Sequence, residues 1–111
     1  MKVLLDENID IRFRFAFDGT GHEVVTTDYM GWKGVKNGAL LTLMAEQGFD
    51  VLIAVDKNLP YQQNQDALPV AVVILDVRRN VLSALQRLLP SLLTVLNSPS
   101  LRGVTVLAEP V

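Results

Sequence analysis

Two apolar runs in this chain stop on an aspartate. "VLLDEN" (residues 3–8) stops on Asp6, and "VLIAVDKNLP" (51–60) stops on Asp56. Two carboxylates brought close together repel unless a proton or a cation sits between them. Mg²⁺ fits such a place. It takes oxygen ligands and keeps several waters, so two carboxylates with amide or water oxygens can hold it. A cation held there would lower the pKa of a bound water and neutralise charge developing on a phosphoryl group. The competing expectation is structural, since an aspartate after a strand commonly caps a helix or forms a turn.

Other residues are weighed in the same way. Glu7 either joins the cation or serves the first turn of a following helix. Asn8 reads as the cap of that helix, and Asp10 as a solvated residue one turn on. Lys57 follows Asp56, and Arg78 and Arg79 follow the apolar run 70–75. All three could offset phosphate charge; the arginine pair reads alternatively as a solvated start to the next helix. Trp32, in "GWKGVK", either stacks on a base or a partner or plugs its loop against the core. His22 is the only histidine. It has no acid or metal partner nearby in sequence and reads as a surface or turn residue. "YQQNQ" (61–65) reads as a surface loop, with a nucleic-acid groove as the alternative.

The elements that must position these groups follow from periodicity. Short apolar runs at 3–5, 51–55 and 70–75 suit strands buried in a parallel sheet, "HEVV" opens another at about 22–26, and "GVTVLAE" (103–109) is the last. Ile9, Phe13, Ala16 and Phe17 recur at helical spacing, and "DGTG" (18–21) stops that helix. "GWKGVKNG" (31–38) is a glycine-rich loop. Asn37 or Gly38 caps a helix that carries Leu40, Leu41, Leu43, Met44 and Ala45, and Gly48 ends it. Residues 81–96 form a leucine-rich amphipathic helix that Pro90 kinks or breaks. Strands alternating with helices through right-handed crossovers imply an α/β fold: a three-layer sandwich around an open parallel sheet of about five strands. In such a sheet the residues past the strand ends share one edge, and ligands bind where the strand order reverses. If the chain winds outward from strand one to strand two and then returns, strands one and three are neighbours. Asp6 and Asp56 then meet at the switch point.

The bulk numbers bound the rest. The chain has 111 residues, a formal charge of -2 and no cysteine. One domain spanning 1–111 is expected, without disulfides or thiolate chemistry and without overall attraction to nucleic acid. No apolar run approaches the ~20 residues of a membrane span, and no signal-peptide pattern opens the chain. A cytoplasmic protein with no membrane partner is the expectation.

The order "VLLDEN", "HEVVT", "GWKGVKNGALLTLMAEQGFDVLIAVDKNLP" resembles the small bacterial PIN-like domains, relatives of the PilT N-terminus nucleases that often act as toxins of toxin–antitoxin pairs. The resemblance runs through about the first three quarters of the chain. It implies an α/β/α sandwich whose acidic cluster binds Mg²⁺ or Mn²⁺ and hydrolyses RNA, with an antitoxin protein or a homodimer as further partners. Carried over by position, Asp6 and Asp56 match the family's first and later acids and become the catalytic residues. Asn37 stands where relatives have the aspartate of G-x-x-D, and Asn58 where many have the second acid of D-x-D-F. The implied metal ligands are Asp6, Asp56, Glu7, Asn37 and Asn58; Lys57, Arg78, Arg79 and Trp32 would contact phosphate or nucleic acid. With two asparagines in acidic positions, an alternative within the same resemblance is a catalytically degenerate interaction module.

A second resemblance comes from a different class. Receiver domains of two-component signalling carry an acidic pair after strand one and a phospho-accepting aspartate after strand three, commonly followed by x-x-Met-Pro; "DKNLP" is similar. Asp6 and Glu7 would hold Mg²⁺ and Asp56 would take the phosphoryl group. Receivers also carry Ser or Thr after strand four and Lys-Pro after strand five. This chain has "LDVRR" and "LAEP" there.

Overall fold

A computed structural model of the chain describes residues 1–58 and 68–109. Its five strands are β1 (Lys2–Leu5), β2 (Glu23–Thr26), β3 (Val51–Ala54), β4 (Ala71–Asp76) and β5 (Val104–Ala108). They form one sheet in the order β2-β1-β3-β4-β5, and every pairing is parallel. The apolar runs therefore become strands for the expected reason. Val3 to Leu5, Val51 to Ala54 and Val72 to Leu75 are almost wholly excluded from water, as a sheet covered on both faces requires. The α/β class and the five-stranded parallel sheet agree with the sequence.

Alternation along each strand divides the core in two. On one face Val3, Leu5, Ile53, Val73 and Leu75 meet Ile9, Phe13 and Phe17 from the β1–β2 connection and Leu85, Leu88, Leu92 and Leu96 from the β4–β5 connection. On the other face Leu4, Leu52, Val72 and Ile74 meet Leu40, Leu41 and Met44 of α2 (Asn37–Glu46). The leucine-rich stretch thus covers its own sheet. It is interrupted at Leu88, giving α3 (Leu82–Arg87) and α4 (Leu89–Leu96), with Pro90 in the first turn of α4. Proline lacks the N–H that would continue the ladder of the preceding turn.

Three features depart from the sequence expectation. The segment after β1 is a 3-10 helix (Ile11–Phe17) rather than an α-helix, and Asp10 caps it instead of Asn8. The Asp10 carboxylate accepts the Arg12 backbone N–H and pairs with the Arg12 guanidinium at 2.6 Å; a carboxylate two residues before the arginine reaches both donors, which the Asn8 side chain does not. A single helical turn, α1 (Thr27–Met30), follows β2 directly because the Thr26 hydroxyl accepts the Tyr29 N–H and Gly31, at φ 73°, closes the turn. The third departure concerns handedness. The connection from β1 to β2 steps one way across one face, and that from β2 to β3 steps the opposite way across the other. These two share a hand, and right-handed crossovers are nearly universal. The connection from β4 to β5 steps in the β3 direction but crosses the face of the 3-10 helix, so its hand is opposite. The physical gain is a single apolar layer, in which α3 packs against the 3-10 helix and the two share the Phe13 and Phe17 cluster.

Candidate functional site at the sheet's carboxyl edge

β1 pairs with β2 on one side and with β3 on the other, so the reversal of strand order falls between β1 and β3. Asp6 and Asp56 lie just past those two strand ends. The sequence argument placed them there, and its uncertain step, the adjacency of the two strands, is met.

The two carboxylates sit in different surroundings. Asp6 is buried, 9% exposed. Its backbone N–H continues the sheet by donating to the Ile53 carbonyl, and its Oδ1 accepts the Glu7 N–H at 2.9 Å. Burial pushes its pKa above 3.8; the Glu7 N–H opposes the shift, and the charges of Glu7 and Asp56 add to it. Asp56 is half-buried. Its Oδ1 accepts the Asn58 N–H at 2.9 Å, a side-chain turn that holds the carboxylate in place. The turn-former expectation for Asp56 is met through Oδ1.

Glu7 lines the same pocket as Asp6, but one of its oxygens is engaged. Its Oε2 accepts the Gly34 N–H at 3.0 Å and ties down the glycine-rich loop. Among the described residues no three Asp, Glu or His side chains converge to hold a metal. Asn37 begins α2, and Asn58 contributes its backbone N–H. Asp6 and Asp56 are the two acids past the ends of β1 and β3. Two carboxylates are too few for an all-protein cage, but two is the number with which hydrated Mg²⁺ is commonly held beside a phosphate.

The cations expected near the site are placed unequally. Lys57 reaches the end of β4 and pairs with Asp76 at 2.6 Å. Arg78 and Arg79 lie beyond β4 beside Glu109, whose Oε1 accepts the Arg78 N–H at 2.7 Å. Trp32 is half-buried against Phe49, with ring centroids 5.7 Å apart, in the core under α2; the plug expectation describes it. His22 bridges the N-terminal amine and the Asn97 side chain, each at 3.1 Å, at the opposite edge of the sheet. Because the ammonium only donates, Nδ1 accepts and Nε2–H donates to Asn97. "YQQNQ" lies outside the described residues.

Sequence reasoning missed Asp76 and Glu109 at this edge. The signal was present, since "AVVILD" and "VTVLAE" are also apolar runs that end on an acid. Asn80, unremarked in the sequence, donates from its side-chain amide to the Asn8 carbonyl at 2.6 Å and links the loops that follow β4 and β1.

No family model matches the chain, and no curated protein matches it. One solved structure that matches is the signal receiver domain of a protein assigned as Luxo repressor from Vibrio parahaemolyticus. Its TM-score is 0.48 at 13% identity, covering 99% of this chain and 78% of that one. The PIN-like resemblance is corrected: no family model matches the chain. The site agrees with the correction. The resemblance implied a multi-acid metal cluster for RNA hydrolysis, whereas Glu7 is turned to Gly34 and asparagines stand at 37 and 58. The ribonuclease and toxin expectations fall with it. Among the described residues no helix is long and apolar enough to cross a membrane.

Proposed function

We propose that this chain is a receiver-like, phospho-accepting signalling domain in which Asp56 takes a phosphoryl group from a small phosphodonor. The observation that carries the reading is the position of buried Asp6 and half-buried Asp56 just past the ends of the adjacent parallel strands β1 and β3, at the switch point. The Asn58 N–H fixes one Asp56 oxygen. The other oxygen attacks phosphorus; the bond from phosphorus to the leaving group breaks, and the leaving group departs with the electron pair. An acyl phosphate results without any proton transfer by the protein. Asp6 and Asp56 would hold Mg²⁺ or Mn²⁺, which when bound neutralises charge on the phosphoryl oxygens.

Lys57 supports the same reading. Receivers take a lysine from the end of strand five, and this chain has none there. Its ammonium comes instead from the acceptor's own loop and is parked on Asp76 at 2.6 Å. That pair is largely exposed, so holding it contributes little stability. An acyl phosphate at Asp56 offers Lys57 a partner with more negative charge and more acceptor oxygens. Transfer of Lys57 from Asp76 to the phosphoryl group would release the end of β4, which gives the modification a structural readout. Incubation with acetyl phosphate and Mg²⁺, followed by intact mass, tests the function. The reading predicts one phosphoryl group on the wild type and none on Asp56→Asn. A wild-type protein that gains no mass contradicts it.

A further inference from the structure

Beyond β4 and β5 lies a second cavity of about 430 Å³, lined by Arg78, Arg79, Val81, Ser83, Arg87 and Glu109, among others. We infer that it is a binding site for a small phosphate monoester, separate from the Asp56 site. Three guanidiniums face one carboxylate, so the lining carries a net charge of +2 within a chain whose formal charge is -2. Glu109 is already engaged. Its side chain is only 11% exposed, it accepts the Arg78 backbone N–H, and it faces Arg87 at 3.6 Å. The guanidiniums of Arg78 and Arg79 form no ion pair among the described residues. Like charges that line one cavity are favoured by a counter-charge placed among them. A phosphate monoester carries about −1.5 to −2 at neutral pH and accepts the paired, planar hydrogen bonds that guanidinium offers. The charges match.

The remaining wall suggests what the phosphate is attached to. Val81 and Ala84 give an apolar side and Ser83 a hydroxyl. The volume lies in the range of small-ligand pockets, roughly 300–1,000 Å³, and exceeds what inorganic phosphate fills. Glu109 limits the affinity, because its carboxylate competes for Arg87.

Titration with phenyl phosphate, followed by amide shifts in ¹⁵N NMR spectra, tests the inference. Saturable shifts at Arg78, Arg79, Ser83 and Ala84 are expected, weaker with inorganic phosphate. The double variant Arg78→Gln/Arg79→Gln should abolish them while its thermal unfolding stays cooperative. Glu109→Gln keeps an acceptor for the Arg78 N–H but removes the charge, and should tighten binding several-fold. Shifts that never saturate, or that survive the double variant, overturn the inference. So does a short single-stranded oligonucleotide that binds the same amides when phenyl phosphate does not, since the pocket would then read phosphodiesters. None of these outcomes depends on phosphorylation of Asp56.

Discussion

The repulsion between Asp6 and Asp56 should be measurable as lost stability. The register pairs Leu5 with Ile53. Asp6 lies one residue past that pair and Asp56 three, so their Cα atoms are offset by ~6.6 Å along the strands and ~4.8 Å across them. The separation is therefore ~8 Å. At an effective dielectric constant of about 20, two unit charges at that distance repel by ~2 kcal/mol. Asp56 is partly exposed, and screening by water reduces this to about 1 kcal/mol. Asp6→Asn and Asp56→Asn both keep an oxygen for the Glu7 and Asn58 N–H groups, so the exchange removes charge and little else. A double-mutant cycle from urea denaturation at neutral pH in chelator should give a destabilising coupling of about 1 kcal/mol, with the second removal gaining less than the first. With saturating Mg²⁺ the coupling should change sign, because each carboxylate then helps the other hold the ion. A coupling of zero under both conditions would refute the claim that the two share one field.

Other predictions concern acid and packing. The Asp6 pKa is raised in the fold, mainly by burial. The folded state keeps its proton longer than the unfolded chain, so the contribution of Asp6 to stability is full at low pH and is lost as pH rises from 3.8 through the raised value. Denaturation midpoints across the acid range should show that Asp6→Asn removes this slope. Asp10 is the opposite case. The Arg12 side chain, and then the Arg12 backbone N–H, lower it to about 2; its contribution is present above 3.8 and lost as pH falls toward about 2, and Asp10→Ala should flatten that part of the acid-unfolding curve. Phe13 is fully buried beside Phe17, with ring centroids 5.3 Å apart. Phe13→Ala should lower unfolding free energy by roughly 3–5 kcal/mol, read from the urea midpoint at constant slope; a loss under 1 kcal/mol would mean that the layer shared by the 3-10 helix and α3 repacks.

How far the sequence could be read depended on the range of the interaction. The strands were legible because burial on both faces demands unbroken apolar runs, and "VLIA" satisfies that on its own. The break near Pro90 was legible because a missing N–H is a property of one residue. The placing of Asp6 and Asp56 past adjacent strand ends was legible because parallel strands point the same way and alternation limits their order. Tertiary competition hid the rest. Glu7 accepts from Gly34, 27 residues away, and no local signal separates that from binding a cation. Lys57 is held by Asp76 across two strand ends. The opposite hand of the last crossover arises from which face the leucines of 82–96 prefer, and amphipathicity alone does not name a face. The PIN-like resemblance erred in a related way. It carried a metal site over by order and spacing, but among the described residues no three acids gather as such a site requires.

The central claim is that Asp6 and Asp56 act as one cation-dependent site. Calorimetric titration of the wild type and Asp6→Asn with Mn²⁺ tests it most directly. The account predicts saturable binding to the wild type and its loss in the variant. Heat that is absent up to millimolar metal, or unchanged by Asp6→Asn, would contradict it.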